Sequence, residues 1–426
     1  MAYRIAGIDV HKRILAVVVA DMEVPGEYVF ERRQCGTNPA QLKELATWLV
    51  QQKVQEVVME STAQYWKPVW GALEQYWQPV CKQEGARPLS GSLHLAQAQS
   101  NRGPRGRKND FADAERLVRR FVAGELTLSF VPDAEQRLWR TVMRSKYQLR
   151  CNQVRLQNRL EALLEEAHLK LSSLISDLLG LSGRRMLKAI AEGVTDPAAV
   201  AAQADYRLRA TQEQLCDALG ACRDLHPVYR RLVKTALEDW ERIEAQITQL
   251  GQEMATLLGA HQEQVERLAE VPGLGGDSAQ QIIAEVGAGA ATFPSDKALA
   301  SWAGQCPGEE ETAGVNHDRR SPQGNRHLRR ILNEAANAAV KLKGSIFALL
   351  YRRYVVRFGH VKTIAVIAHR LCCLIWKILH KGVRYEERGP EVSKQSQQRR
   401  TARMIRQLRS LGYHVRKLNA SQPVAA

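Results

Sequence analysis

The chain has 426 residues, 45% of them hydrophobic and 25% charged, with 61 Lys and Arg against 45 Asp and Glu and a net charge of +16. That length holds two or three domains. The apolar content excludes disorder throughout, and the basic balance points to a polyanionic partner. The eight cysteines include no Cys-x-x-Cys pair and no His/Cys spacing suited to zinc, which fits a reduced, cytosolic setting.

The N-terminus, MAYRIAGIDVHKR, has no apolar signal segment. Residues 4–22 read as two strands around a turn: Ile5 and Ile8 flank Gly7, and the run from Ile14 to Ala20 is apolar and β-branched. A third strand is expected at 27–34. Residues 38–52 follow as a helix with Leu42, Leu45, Ala46 and Leu49 on one face. A short buried strand at 55–61 ends near Glu60, and a helix is expected at 64–76. Another helix opens at Asp110 and Asp113. Strands first, then alternating helix and strand, predict an α/β layer with a mixed sheet over about 1–130.

From about residue 131 to 267 long helices are expected. Val142, Leu149, Leu156 and Leu163 recur every seven residues. Val233, Ala236, Trp240, Ile243, Ile247, Leu250, Met254 and Leu257 keep a strict 3-4 alternation. The second series is a coiled-coil seam or one face of a helix in a monomeric bundle. From 268 to 426 the chain reads as a mainly helical, basic domain. It opens on VPGLGGDSAQQIIAEVG, a glycine turn that either offers backbone amides to a phosphate or simply joins two packed helices. A short helix at 295–304, a polar loop at 305–322, helices from 324 to 382 and a basic helix at 395–411 complete it. The run IAVIAHRLCCLIWKIL is too polar at His369 and Arg370 for a membrane span. From Arg319 onward there are 24 Lys and Arg against 4 Asp and Glu, while the preceding residues carry 37 against 41. About one quarter of the chain therefore holds the entire basic excess, as expected of a folded nucleic-acid-binding domain.

Asp9 sits near the end of one apolar strand and Glu60 at the end of another. A carboxylate there is costly unless paired or bound to a cation. Asp110 and Asp113 lie one helical turn apart, so they share a face. They read either as acids favoured by a helix N-terminus or as metal ligands. An acid on each of two strands and two on a following helix suit a two-metal phosphoryl-transfer site, for which hard oxygen ligands favour magnesium or manganese.

GIDVHK, VVMEST and GRKNDFADAERL, in that order, resemble the DEDD-type transposases of bacterial insertion sequences, the family often called "IS one-ten". SGRRMLKAI, VPGLGGDSAQQIIAEVG, ASWAGQCPG and PQGNRHLRRILNEAA extend the resemblance over nearly the whole chain. It implies a RuvC-like domain of ribonuclease-H fold, long coiled-coil helices and a helical C-terminal transposase domain. It also implies that Asp9, Glu60, Asp110 and Asp113 are the metal-site acids. The family's second active residue is a serine in the polar loop, before a small residue and a glycine. Here Thr312 precedes Ala313-Gly314, a departure that keeps the hydroxyl and adds a methyl. Ser321 is the nearest serine, and the third possibility is that neither forms a covalent bond. Arg319, Arg320, Arg326, Arg329 and Arg330 flank this loop as candidate phosphate clamps or a solvated face. The resemblance further implies a bridge noncoding RNA pairing with donor and target DNA. It implies a homo-oligomer, a dimer and then a tetramer in the synaptic complex, in a bacterial cytoplasm without a membrane. A metal-dependent junction nuclease and a decayed nucleic-acid-binding protein are the rival expectations.

Overall fold

The computed structural model describes residues 3–22, 28–61, 63–77, 93–98, 100–101, 109–306, 311–312, 315–316, 324–387 and 394–415. They belong to two compact units, 1–134 and 135–426.

The first unit is a mixed α/β layer. Its elements are β1 (Arg4–Val10), β2 (Ile14–Asp21), β3 (Phe30–Gly36), α1 (Pro39–Gln51), β4 (Val54–Glu60), α2 (Trp66–Tyr76), β5 (Leu93–Ala96), α3 (Asp110–Val122) and β6 (Leu128–Ser129). The six strands lie in the order β3-β2-β1-β4-β5-β6. β1, β2 and β3 form an antiparallel meander with Ile8 opposite Val17. The chain crosses back through α1, so β4 joins the other edge of β1 in parallel, Ile8 beside Met59. The strand β5 is absent from the sequence reading because four residues carry too little periodicity to register.

Side-chain alternation divides the sheet into two faces. Ala6, Ile8 and Val10 pack with Leu42, Leu45 and Leu49 of α1 and Val69 and Leu73 of α2. Ile5, Val18 and Val58 point the other way, onto Ala114, Leu117 and Val118 of α3. Gly7 lies in this second face, and a Cβ there would stand 2.5 Å from the carbonyl oxygen of Ala114. Glycine thus lets the backbone of α3 come down onto the middle of β1.

The second unit is helical. It runs through α4 (Ala134–Glu166), α5 (Leu171–Leu174), α6 (Leu181–Ala191), α7 (Pro197–Ala201), α8 (Gln212–Ala218), α9 (Pro227–Leu257), α10 (Gln262–Ala269), α11 (Gly276–Val286) and α12 (Asp296–Trp302). After these come the two-residue strands β7 (Glu311–Thr312) and β8 (Val315–Asn316), then α13 (Arg326–Ala339), α14 (Ile346–Lys381) and α15 (Lys394–Ser410). It has two cores. Late α4 shares the first with early α9: Leu156, Leu160 and Leu164 with Val233 and Ala236. Early α4 shares the second with late α9: Trp139 and Met143 with Met254 and Leu258. The two long helices therefore run antiparallel. Within this chain the seam residues Val233, Ala236, Ile247 and Met254 are buried, while Ile243 and Leu250 stay half-exposed.

The glycine turn before α11 serves helix packing. Gly273 has φ +86°, and a Cβ there would lie 2.1 Å from the carbonyl of Ala335 in α13. Gly275 and Gly276 are covered by Gln407, Leu408 and Leu411 at the end of α15. Among the described residues, α14 alone passes by length and composition for a membrane-crossing helix, yet more than half of its most apolar window is buried within the unit. Its Trp376 donates to the carbonyl of Phe293 at 2.9 Å, and His369 Nδ1 bonds that of Gln305 at 2.8 Å.

Candidate metal centre

Three of the four predicted acids, Asp9, Asp110 and Asp113, and a histidine lie where β1 ends and α3 begins. Asp9 has the same parity as Ile5 and Gly7, so it faces α3 and is 5% exposed. Glu60 shares the parity of Val58 on the adjacent parallel strand, and the register pairing Ile8 with Met59 carries Asp9 and Glu60 to the same end. At the start of α3 the cap is Asn109, whose Oδ1 accepts from the amides of Phe111 and Ala112 at 3.1 and 3.4 Å. The capping role open to the two aspartates is therefore filled by their neighbour, a cap of the usual type. Asp110 is left half-exposed and Asp113 is held by Arg116 on the same helix.

His11, two residues beyond Asp9 on the same face, bridges the group. Its Nε2 lies 3.1 Å from Asp9 Oδ2 and 3.2 Å from Asp110 Oδ1. One ligand atom from each of Asp9, His11 and Asp110 lies within 4.8 Å of the others. Glu60 is oriented by Asn101, a buried side chain whose Nδ2 donates to its Oε2 at 2.8 Å. Sequence reading passed over both His11 and Asn101. The signal for His11 was its two-residue spacing from Asp9, while Asn101 had none.

Burial raises the Asp9 carboxyl above the usual aspartate range. His11 opposes the rise, and the charges of Glu60, Asp110 and Asp113 add to it. Asp9 thus feels the charge of each of the other three acids. A buried carboxylate among like charges is an unfavourable arrangement until a cation joins it. The donor set, hard carboxylate oxygens with one imidazole, fits a divalent cation.

The C-terminal candidates are distributed differently. Thr312 lies on β7 of a minimal hairpin, paired with Val315, where a featureless polar loop was expected. Ser321, Arg319 and Arg320 fall outside the described residues. The two described ends of the loop are held together: the Asn325 amide donates to the Trp302 carbonyl at 3.0 Å, and a Cβ on Gly324 would meet the Gly304 amide at 2.3 Å. Asn325 caps α13 and donates its Nδ2 to the buried Glu285 at 2.8 Å. Arg326, Arg329 and Arg330 line an open groove of about 720 Å³. Arg330 is tied inward: its guanidinium stacks 4.2 Å from the Tyr147 ring centre and bonds Gln281 at 2.7 Å.

Two family models match the chain and together span more than half of it. One, of the DEDD type and described as a transposase, covers residues 6–169; the other, described as the transposase IS116/IS110/IS902 family, covers 265–352. No curated protein matches.

Proposed function

The chain belongs to the IS110 family of DEDD-type insertion-sequence transposases, enzymes of transposition, and from that premise we propose how it cuts and rejoins DNA. Asp9, Glu60, Asp110 and Asp113 form a divalent-cation centre with His11 beside them, and Thr312 supplies the nucleophilic hydroxyl. The observation that carries this reading is the meeting of Asp9, His11 and Asp110 within 4.8 Å. The sheet order β3-β2-β1-β4-β5, with acids at the ends of β1 and β4, supports a ribonuclease-H-like, RuvC-type domain. Magnesium or manganese held there would stabilise charge on the attacking and leaving oxygens of a phosphoryl transfer.

The chain's own residues prepare that chemistry. Gly7 admits α3 to the sheet, Asn109 caps the helix so that the aspartates need not, and Asn101 and Arg116 orient Glu60 and Asp113. The Thr312 hydroxyl attacks a backbone phosphorus, forming a threonine–phosphate ester. The ribose oxygen leaves as a hydroxyl, taking up the proton the threonine gives up. Attack by another strand's hydroxyl reverses the step and rejoins DNA with no net loss of phosphodiester bonds.

The +20 segment from Arg319 onward suits a bridge noncoding RNA together with donor and target DNA, as backbone affinity is largely electrostatic. Arg319, Arg320, Arg326 and Arg329 are proposed phosphate contacts. The working form is a homo-oligomer in the bacterial cytoplasm, a dimer and then a tetramer, with one subunit's acids serving another's Thr312. The three segments 1–130, 131–267 and 268–426 would divide metal chemistry, assembly and nucleophile delivery.

The test is strand cleavage and covalent-adduct trapping. Asp110→Asn and Asp113→Asn should abolish cleavage in magnesium while nucleic-acid binding persists, and Thr312→Ala should remove adducts that Thr312→Ser retains. Full recombination by either Asn variant rejects the metal centre. Recombination without any adduct leaves a metal-dependent nuclease as the better reading.

A further inference from the structure

Among the described residues of the helical unit, a markedly exposed apolar and aromatic segment lies in the middle of α14. The helix is broken at Gly359, whose φ of 75° and ψ of 173° are not helical. Around this elbow residues 356–362 are exposed without interruption, Val356 by 90% and Val361 by 79%. Aromatic rings and guanidinium groups alternate along it. Tyr354 and Phe358 stand 6.0 Å apart, tilted at 45°. Arg357 lies over the Phe358 ring at 5.1 Å and Arg353 over Tyr354 at 6.0 Å. Across the break the Tyr351 hydroxyl bonds His360 Nδ1 at 2.9 Å, which holds the two arms of the elbow together.

The charge along the helix itself has one sign. From Ala335 to Tyr385 the sequence contains ten Lys and Arg and no Asp or Glu. Apolar side chains presented this openly cost free energy in water unless something covers them. A second copy of the same face is a poor cover, since a two-fold contact would set these arginines against their own counterparts. Duplex DNA satisfies the cations only, because its bases are already stacked and show no ring faces. Single-stranded nucleic acid meets both demands: phosphates for the guanidinium groups and unpaired bases for the rings.

We propose that the α14 elbow is a stacking platform for unpaired bases of single-stranded nucleic acid, with Tyr354 and Phe358 as the ring partners and Arg353 and Arg357 as the phosphate partners. The proposal rests on the reading of the chain as an enzyme that handles nucleic acid strands. Unpaired bases occur in the loops of a structured RNA and in a displaced DNA strand, and both offer the same chemistry.

The experiment measures fluorescence anisotropy of labelled RNA strands, DNA strands and duplex DNA with the full chain in EDTA. No cleavage is read, so this test and that of the metal centre fail separately. The double substitution Tyr354→Ala, Phe358→Ala should weaken binding of single strands roughly tenfold and leave duplex binding within about twofold. The unmodified chain should lose a comparable factor on a strand of abasic nucleotides, a measurement that needs no variant to fold. A deficit with RNA alone assigns the platform to RNA loops, and one with DNA alone assigns it to a displaced strand. Equal binding of intact and abasic strands by the unmodified chain overturns the proposal. So does a variant that binds single strands normally but sediments as a smaller species, which would give the elbow to a second copy.

Discussion

Asp9 in the N-terminal unit and Glu285 in the C-terminal unit are both nearly closed to solvent, 5% and 3% exposed, but their neighbours have opposite charge. Asp9 faces Glu60, Asp110 and Asp113 with one histidine to relieve it, and its carboxyl is pushed up by burial. Burial works against Glu285 too, but Arg144, Arg140 and Asn325 outweigh it and hold its carboxyl below the usual glutamate range. Arg144 reaches both oxygens, at 2.9 and 2.8 Å, and Arg140 stands 3.5 Å away. The Glu285 cluster is a finished structure, joining α4, α11 and the cap of α13. The Asp9 cluster gathers like charges instead, an arrangement that suits a divalent cation.

Removing Glu285 should have the largest effect. Glu285→Ala takes the carboxylate from Arg144 and from the Asn325 amide, while Arg140 keeps its bonds to the Ala284 and Glu285 carbonyls. The cost should be about 3 kcal/mol, the lower end for a broken buried pair because Arg144 is partly exposed. Urea denaturation measures it, and a loss under about 1 kcal/mol would put the cluster on a par with a surface ion pair. Gly7→Val should come next. Its side chain collides with the Ala114 carbonyl, so α3 must retreat from β1, costing about 1–3 kcal/mol and separating Asp110 from Asp9. A variant with unchanged stability and cleavage would show that the approach at Gly7 does not assemble the site.

The smallest effect is on pH dependence. A glutamate whose folded pKa is depressed adds stability that is complete above its unfolded value, near 4.5, and is lost as pH falls through the folded value. The acid limb of the stability curve should therefore be shallower in Glu285→Gln than in the unmodified chain. Parallel curves below pH 4.5 would remove Glu285 from the account of acid unfolding.

Much of this contrast was open to a sequence reader, and the unread part has physical causes. The order of acids on strand, strand and helix marked the N-terminal cluster because burying a carboxylate in an apolar strand leaves a trace in the pattern. His11 adjoined that trace but reads equally as a polar turn residue. Asn101 sits in no periodic segment, so nothing local reveals that it is buried on Glu60. Glu285 looked like an ordinary acid in the α11 run IIAEVG, since its partners lie about 140 residues earlier on α4 and 40 later on α13. The hairpin at Thr312 escaped because two-residue strands lack a period. The heptad spacing of α9 was visible, but spacing alone does not say whether a seam faces its own chain, and Val233 and Met254 lie in two different cores of one subunit.

The central claim is that the Asp9 cluster binds a divalent cation, and manganese binding followed by electron paramagnetic resonance tests it most directly. The unmodified chain should deplete the free-manganese signal, and Asp9→Asn or Asp110→Asn should restore it. In the same samples, saturating manganese should stabilise the unmodified chain, by ~2.7 kcal/mol at a hundredfold excess over Kd, and should not stabilise Asp9→Asn. Without metal, Asp9→Asn should be at least as stable as the unmodified chain, because it removes a buried charge from among like charges. Equal manganese binding by the unmodified chain and both variants would contradict the account.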